Sequence, residues 1–264
     1  MSDVVFSLAQ DIGMRDLQED FCGYRFSNKM EILQGRGQIS GSASLPFMAV
    51  LCDGMGGHAS GEIASKIAGE SFLISTLAAF DDDDASAQFN DIIFHINKSI
   101  CDHIQSNYQL AGMGTTFIGL KITNNTLKWI SVGDSHLFLY RDNKLHKINE
   151  DHSMKPLISA MVDKGIITAL EAETHPERNA LRSALTGDEL KLIDIQSNGI
   201  PLLKDDIILL ASDGIDSMPL KNLERTIKFW KLFGLTKMVK KIISSVLNMK
   251  IEHQDNVSLF AIKV

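Results

Sequence analysis

The sequence predicts one layered α+β domain. Three observations carry that reading. Short apolar runs bounded by Gly, Asn and Asp recur from the first residues to the last, the mark of strands closed by turns. Phe89, Ile93, Ile96, Ile100 and Ile104 repeat at steps of four and three, as one face of a helix requires. No internal repeat or interdomain linker divides the 264 residues, a length that builds one sizeable core.

Residues 3–9 and 21–26 are short strand candidates. GRGQISGSASLP (35–46), rich in Gly and Ser and ending in Pro, reads as a loop. FMAVLC (47–52) follows as a buried strand. From Gly61 to Leu77 the pattern is helical, with Ile63 and Ile67 four apart and Ser60 placed to cap the start. Asp81, Asp82, Asp83 and Asp84 read as a solvated loop favouring the N-terminus of the next helix; adjacent carboxylates there converge poorly on a metal. After that helix, TTFIGLKI (115–122), LKWISVG (127–133), HLFLYR (136–141) and KLHKIN (144–149) read as a meander of hairpins. Asn124-Asn125 and Asp142-Asn143 supply its turns. Residues 154–180 are mixed, a short helical excursion. Strands resume at KLIDIQ (191–196) and DDIILLAS (205–212), a helical stretch spans 220–249, and SLFAIKV (258–264) is the last strand.

The formal charge of −7 gives no general attraction to nucleic acid. Cys22, Cys52 and Cys101 are odd in number and widely spaced, which fits a reduced compartment better than a disulfide framework. The N-terminus lacks the basic stretch and apolar core of a signal peptide, and no apolar run approaches the roughly 20 residues of a membrane span. A cytoplasmic protein without a transmembrane segment is expected. From Pro219 to Lys250, eight Lys and Arg stand against Glu224 alone. With Ile242, Ile243, Val246 and Leu247 interleaved, this reads most simply as a packed amphipathic helix with a solvated basic face. Contact with an anionic membrane or an acidic partner is the alternative.

Acids recur beside the apolar runs. FMAVLC ends in Asp53-Gly54, LKWISV in Gly133-Asp134-Ser135 and DIILLAS in Asp213-Gly214, while Asp255-Asn256 and Glu19-Asp20 precede strand candidates. Each is expected at the rim of a sheet. Ionised carboxylates gathered there would repel one another and lose solvation. A divalent cation removes that conflict, and an all-oxygen ligand set suits Mg²⁺ or Mn²⁺. Neither histidine-rich spacing nor paired cysteines point to zinc. Two ions sharing a carboxylate would lower the pKa of a water between them and clamp a phosphoryl oxygen. A single Asp-Gly also reads as a plain turn, so the pattern alone leaves both readings open.

The ordered series GMRDLQED (13–20), DGMGGHASGEIAS (53–65), GMGTT (112–116), VGDSHLFLYR (132–141), EDHS (150–153), ALTG (184–187), ASDGI (211–215) and QDNVSLFAI (254–262) resembles the metal-dependent protein phosphatase (PPM, or type 2C) family. The match follows family order over nearly the whole chain, and the spelling DGMGGH is similar to the bacterial branch. The resemblance implies a four-layer α-β-β-α sandwich, two antiparallel sheets flanked by helix pairs, in one catalytic domain. It implies two Mn²⁺ or Mg²⁺ ions at one end of the sandwich. By the same resemblance Asp53 bridges both ions, Gly54 adds its carbonyl, Asp213 and Asp255 bind the first, and Glu19 of the Glu19-Asp20 pair serves the second through water. A weaker third ion would fall to Asp134 with Asp213. Arg15 maps to the arginine that grips the substrate phosphate, where a bidentate fork suits.

The implied activity is serine/threonine phosphoprotein phosphatase, with a metal-bridging hydroxide attacking phosphorus in line. Such a protein would act as a monomer on phosphoserine and phosphothreonine proteins and oppose a serine/threonine kinase in bacterial signalling. The alternative is a non-catalytic regulatory or binding module of the same fold. Degenerate members lose several acids, whereas Glu19, Asp53, Asp213 and Asp255 stand here with Arg15. Three departures from the family pattern matter. Gln18 replaces an asparagine, Met55 stands where eukaryotic members place a histidine proposed as general acid, and His136 replaces an arginine of structural role. The resemblance makes His58 a conformational residue rather than a ligand and His152 structural. It makes residues 154–180 the variable flap beside the site.

Overall fold

The computed structural model of the chain describes residues 3–56, 60–75 and 85–264. Strand β1 (Asp3–Asp11) leads to β2 (Asp20–Phe26), β3 (Lys29–Leu33), β4 (Gly37–Ser44) and β5 (Phe47–Met55). Helices α1 (Ser60–Ser75) and α2 (Ala85–Ser106) follow. Next come β6 (Gly114–Thr115), β7 (Phe117–Thr123), β8 (Thr126–Val132), β9 (His136–Arg141) and β10 (Lys144–Lys147). Helices α3 (Lys155–Asp163) and α4 (Ala169–Glu173) precede β11 (Asp194–Pro201) and β12 (Ile207–Ala211), and α5 (Leu220–Trp230), α6 (Leu235–Leu247) and β13 (Val257–Lys263) complete the order. The strands form two antiparallel sheets, β10-β9-β12-β13-β1-β4 and β11-β8-β7-β5-β2-β3, with β6 beside β5.

Strand alternation explains the layering. In β5, Phe47, Ala49 and Leu51 face the core between the sheets, while Met48, Val50 and Cys52 face the core under α1 and α2. In β12, Ile208 and Leu210 point between the sheets, and Ile207, Leu209 and Ala211 meet α5 and α6. A strand buried on both faces must read as an unbroken apolar run. Four layers, helix-sheet-sheet-helix, result, as the resemblance implies. Phe6, Tyr24, Phe47 and Phe260 stack at the centre, with Phe6 and Tyr24 centroids 4.4 Å apart and Phe260 edge-on to Phe47 at 6.3 Å.

Several local expectations change. Residues 37–44 form an edge strand rather than a loop, pairing β1 from Asp3↔Ser44 to Gln10↔Gly37. The ladder, reinforced by Ser7 and Ser40 hydroxyls 2.9 Å apart, outweighs the weak strand propensity of Gly and Ser. Strand β11 begins at Asp194, later than expected. The four strands after α2 are not one meander. β7 and β8 pair in one sheet, β9 and β10 in the other, and the chain changes sheet at Gly133, whose φ is +107°.

Phe89, Ile93, Ile96 and Ile100 are buried along α2 as their spacing predicts. In α1 the buried face is instead Ala64, Ala68 and Phe72, while Ile63 is exposed, because small residues let the helix lie close on the sheet. Ser60 is the first helical residue, not the cap before it. The expected helix over 220–249 is two helices, interrupted by a 3₁₀ turn at Lys231–Phe233 and by Gly234 at φ +97°. Residues 154–180 carry the expected short helices, α3 and α4. Asp81–Asp84 and His58 lie outside the described residues. Among the described residues no helix is long and apolar enough to cross a membrane.

Phe260→Ala is expected to lower stability by about 3–5 kcal/mol, since the ring is fully buried against Phe6, Tyr24 and Phe47. Urea unfolding reads this as a lower midpoint, and an unchanged midpoint would contradict the central position given to this ring.

Candidate metal centre

The acids singled out in the sequence collect at one end of the sandwich because the strands bearing them terminate there. Asp11 at the end of β1 opposes Val257 at the start of β13, and Ala211 at the end of β12 opposes both Leu259 and His136. In the other sheet Asp20 opposes Asp53. A cavity of about 340 Å³ opens between these ends, lined by Arg15, Glu19, Asp53, Gly54, Asp134, Asp213 and Asp255 among others.

Backbone clasps hold the walls. Thr116 N donates to the Asp53 carbonyl (2.8 Å) and Asp53 N to Thr116 Oγ1 (3.0 Å). Gly54 N donates to the Glu19 carbonyl (3.2 Å), joining two acidic segments directly. A Cβ on Gly54 would lie 2.2 Å from the Gly61 carbonyl oxygen, and one on Gly214 would lie 1.9 Å from that of Asn256. These are close backbone approaches that only glycine permits. Asn256 ties down the loop between β1 and β2. Its Oδ1 accepts from Glu19 N (2.7 Å), and its Nδ2 donates to the carbonyls of Ile12 and Leu17, both at 2.9 Å. That loop presents Arg15, whose Nη2 donates to Asp255 Oδ2 at 2.5 Å.

The electrostatics are those of crowded carboxylates. Burial, then the charges of Asp20, Asp213, Asp134 and Asp255, hold the Asp53 carboxyl well above its usual range. Asp213 is pushed up to about 7 by burial and by Asp134, Asp255 and Asp20. Burial also raises Glu19, with Arg15 working against it, and Asp134, where Lys155 opposes the rise. Oxygen donors that resist sharing their charge are what a hard divalent cation relieves. The residues therefore fit Mg²⁺ or Mn²⁺ by donor type and by charge. Among the described residues no three His, Cys, Asp or Glu side chains close into a cage by themselves. Remaining coordination positions would fall to a backbone carbonyl and water, as ions that dehydrate reluctantly prefer.

Asp20 departs from the sequence expectation. It is 1% exposed and lies behind the cavity wall rather than on it. Its Oδ2 accepts from Ser212 Oγ (2.8 Å) and Ser258 Oγ (2.6 Å), so one carboxyl of the β2 sheet is bound to the ends of two strands of the other. Burial pushes it up to about 6 against those hydrogen bonds. His136 is not among the residues lining the cavity, and its Nε2 lies 2.7 Å from Asp216 Oδ1. His152 is buried, and its Nδ1 accepts from Gly133 N (3.2 Å) at the point where the chain changes sheet. Met55 lines the cavity as the motif suggests. Asn179, within the 154–180 segment, and Leu181, just beyond it, also line the cavity.

Sequence reading missed Asn256 as an organiser, although it adjoins Asp255. It also missed Lys155, whose Nζ lies 3.1 Å from Asp216 Oδ2 and 3.7 Å from Asp134 Oδ2. Against the cost of burial, Asp216 and Asp134 hold that ammonium above its usual range. A lone lysine after EDHS carries no signal until the start of α3 is placed beside Asp134 and Asp216.

Comparison with known proteins agrees with this geometry. The sequence profile of the protein phosphatase 2C family matches residues 23–246. Serine/threonine protein phosphatase PstP of Mycobacterium tuberculosis is 36% identical over 148 residues, 54% of this chain and 27% of that protein, so the match spans about a quarter of that relative's length. Serine/threonine phosphatase stp of Listeria monocytogenes is 32% identical over 187 residues, 69% of this chain and 71% of that protein. The solved catalytic domain of PstP in complex with two manganese ions superimposes with a TM-score of 0.71, at 26% identity over 99% of both chains. The strand-end acids and the profile that runs through Asp53, Asp134 and Asp213 converge, and the chain belongs to the protein phosphatase 2C family.

Proposed function

We propose that this chain is a Mn²⁺- or Mg²⁺-dependent serine/threonine phosphoprotein phosphatase, one catalytic domain acting as a cytoplasmic monomer against a serine/threonine kinase. The observation that carries the reading is the ring of Glu19, Asp53, Asp134, Asp213 and Asp255 around one cavity with Arg15 on its wall. A non-catalytic module would have no reason to keep so many mutually repelling acids in place. The names of the curated relatives and the free cysteines support the activity and the reduced compartment.

Two divalent ions held by Asp53, the Gly54 carbonyl, Glu19, Asp213 and Asp255 would supply an acidified water and neutralise phosphoryl charge. Arg15 binds and orients the phosphate: its side chain is about half exposed, and the guanidinium keeps donors beyond the one given to Asp255 for a bidentate grip. Asn256 fixes the loop that aims Arg15. Thr115 Oγ1, donating to the Asp53 carbonyl at 2.9 Å, helps keep that carboxylate directed at the cavity. Asp134 has the weakest claim on a third ion, because Lys155 already faces it. Asn179 brings the flap to the cavity wall with Leu181 just beyond it, where α3 and α4 would shape substrate access. Among the described residues no histidine lines the cavity, and Met55 cannot donate a proton, so leaving-group protonation would fall to water or another group, or be dispensable.

Two outcomes are expected. EDTA should abolish hydrolysis of an aryl phosphate and Mn²⁺ should restore it, while Asp53→Ala stays inactive with Mn²⁺ and keeps a native circular dichroism spectrum; an active Asp53→Ala protein would refute the assignment. Asn256→Ala should lower kcat/KM by about tenfold or more, chiefly through KM, since it removes three loop-holding hydrogen bonds. Unchanged steady-state kinetics would remove Asn256 from the site's support.

A further inference from the structure

The turn between α5 and α6 carries a surface feature that the phosphatase reading does not use. Phe229, Leu232 and Phe233 are 58%, 75% and 51% exposed. Phe229 and Phe233 lie 5.4 Å apart between ring centroids, and each touches Trp230 at 5.8 Å and 5.5 Å. Trp230 is partly buried and roots this tip in the core beneath α5 and α6. Water-facing apolar side chains that touch one another form a patch, and patches of this kind mark contact sites.

Around the tip positive charge predominates, although Asp205 lies within electrostatic reach of Lys231 and Asp142 neighbours its partner Asn143. Leu220–Leu247 holds seven Lys and Arg and one acid, and that acid, Glu224, is engaged with the Leu145 amide at 2.9 Å. Lys228, Lys237 and Lys240 are exposed. Lys231 lies over the Tyr140 ring at 4.8 Å, and Lys241 near Trp230 at 5.9 Å. This concentration stands out in a chain of net charge −7.

We infer that this tip docks the protein peripherally on an anionic lipid surface, with Phe229, Leu232 and Phe233 entering the interface and the lysines at headgroup level. Aromatic and leucine side chains beside lysines are what an interfacial anchor requires, and lysine stems can lie along apolar surface while their charges stay wet. Each lysine close to an anionic leaflet adds attraction within a Debye length. Self-association through the same patch is disfavoured, because a symmetric contact would set one lysine ring against its copy.

The position of the tip suits this role. Lys231 Nζ donates to Asn143 Oδ1 at 3.1 Å, at the turn where β9 leaves for β10. The other end of β9, at His136, adjoins Asp134 and the cavity. Six residues of strand separate the two ends by roughly 20 Å, so docking leaves the cavity mouth open.

The test uses the full chain and sonicated vesicles of 30% phosphatidylglycerol in phosphatidylcholine, against pure phosphatidylcholine. Co-sedimentation with the anionic vesicles is expected at low salt, fading at high salt, with a blue shift of Trp230 emission over the constant background of buried Trp129. The double variant Phe229→Ser/Phe233→Ser should bind at least about tenfold more weakly, and Lys237→Glu/Lys240→Glu should lose the salt-sensitive part. Both should keep native circular dichroism and full hydrolysis of a soluble aryl phosphate, which separates failure of docking from failure of the catalytic reading. The proposal is overturned if the wild type ignores anionic vesicles, if the serine variant binds them equally, or if the patch instead drives a dimer or binds only an acidic protein.

Discussion

The structure is organised around a conflict of like charges at one end of the sandwich. Asp53, Asp134, Asp213 and Asp255 share a cavity wall, and burial together with the charges of its neighbours, the other three among them, pushes the Asp53 carboxyl above its usual range. Such an arrangement survives only where the backbone cannot relax away from it. Here it cannot, because the acids sit at or beside the ends of strands that run deep into packed layers. The chain's own cations take up part of the charge, Arg15 at Asp255 and Lys155 at Asp134 and Asp216.

Asp20 shows how the two sheets are kept in register at that end. Its carboxyl receives the hydroxyls of Ser212 and Ser258, and Gln10 Nε2 donates to Ser258 Oγ at 2.8 Å. A buried carboxyl with satisfied partners is costly to make but specific in what it tolerates. It fixes the spacing between Asp53 in one sheet and Asp213 in the other, and so sets the width of the cavity.

Much of this was legible in the residues. Helix α2 could be read from its isoleucines, and the apolar runs that end in Asp-Gly are the strands that end at the cavity. The acids could be named because each lies within a residue or two of such a run. What escaped has a common physical cause: it depends on partners distant in sequence. Strand β4 is a strand only because β1 lies beside it. The split between β8 and β9 is invisible in hairpin-like spacing and depends on Gly133 and on His152, which accepts its amide. Asp20 reads like Glu19 until strand parity sends their side chains to different places. Lys155, at the start of α3, and Asn256, just before β13, act on segments distant in sequence, and the aromatic turn after α5 is hidden inside a pattern that reads as one amphipathic helix.

The doubly buried strand β5 has a consequence for how such a chain can diverge. Phe47, Ala49 and Leu51 serve one core and Met48, Val50 and Cys52 the other, so inserting or deleting one residue exchanges the two sets. It would also turn Asp53 from the cavity toward the helices. Edge strand β4 is bound by a lighter count: Ile39 and Ala43 turn to the core, and the alternate residues are exposed. The aspartate keeps its place because its distance from the core is counted in whole residues.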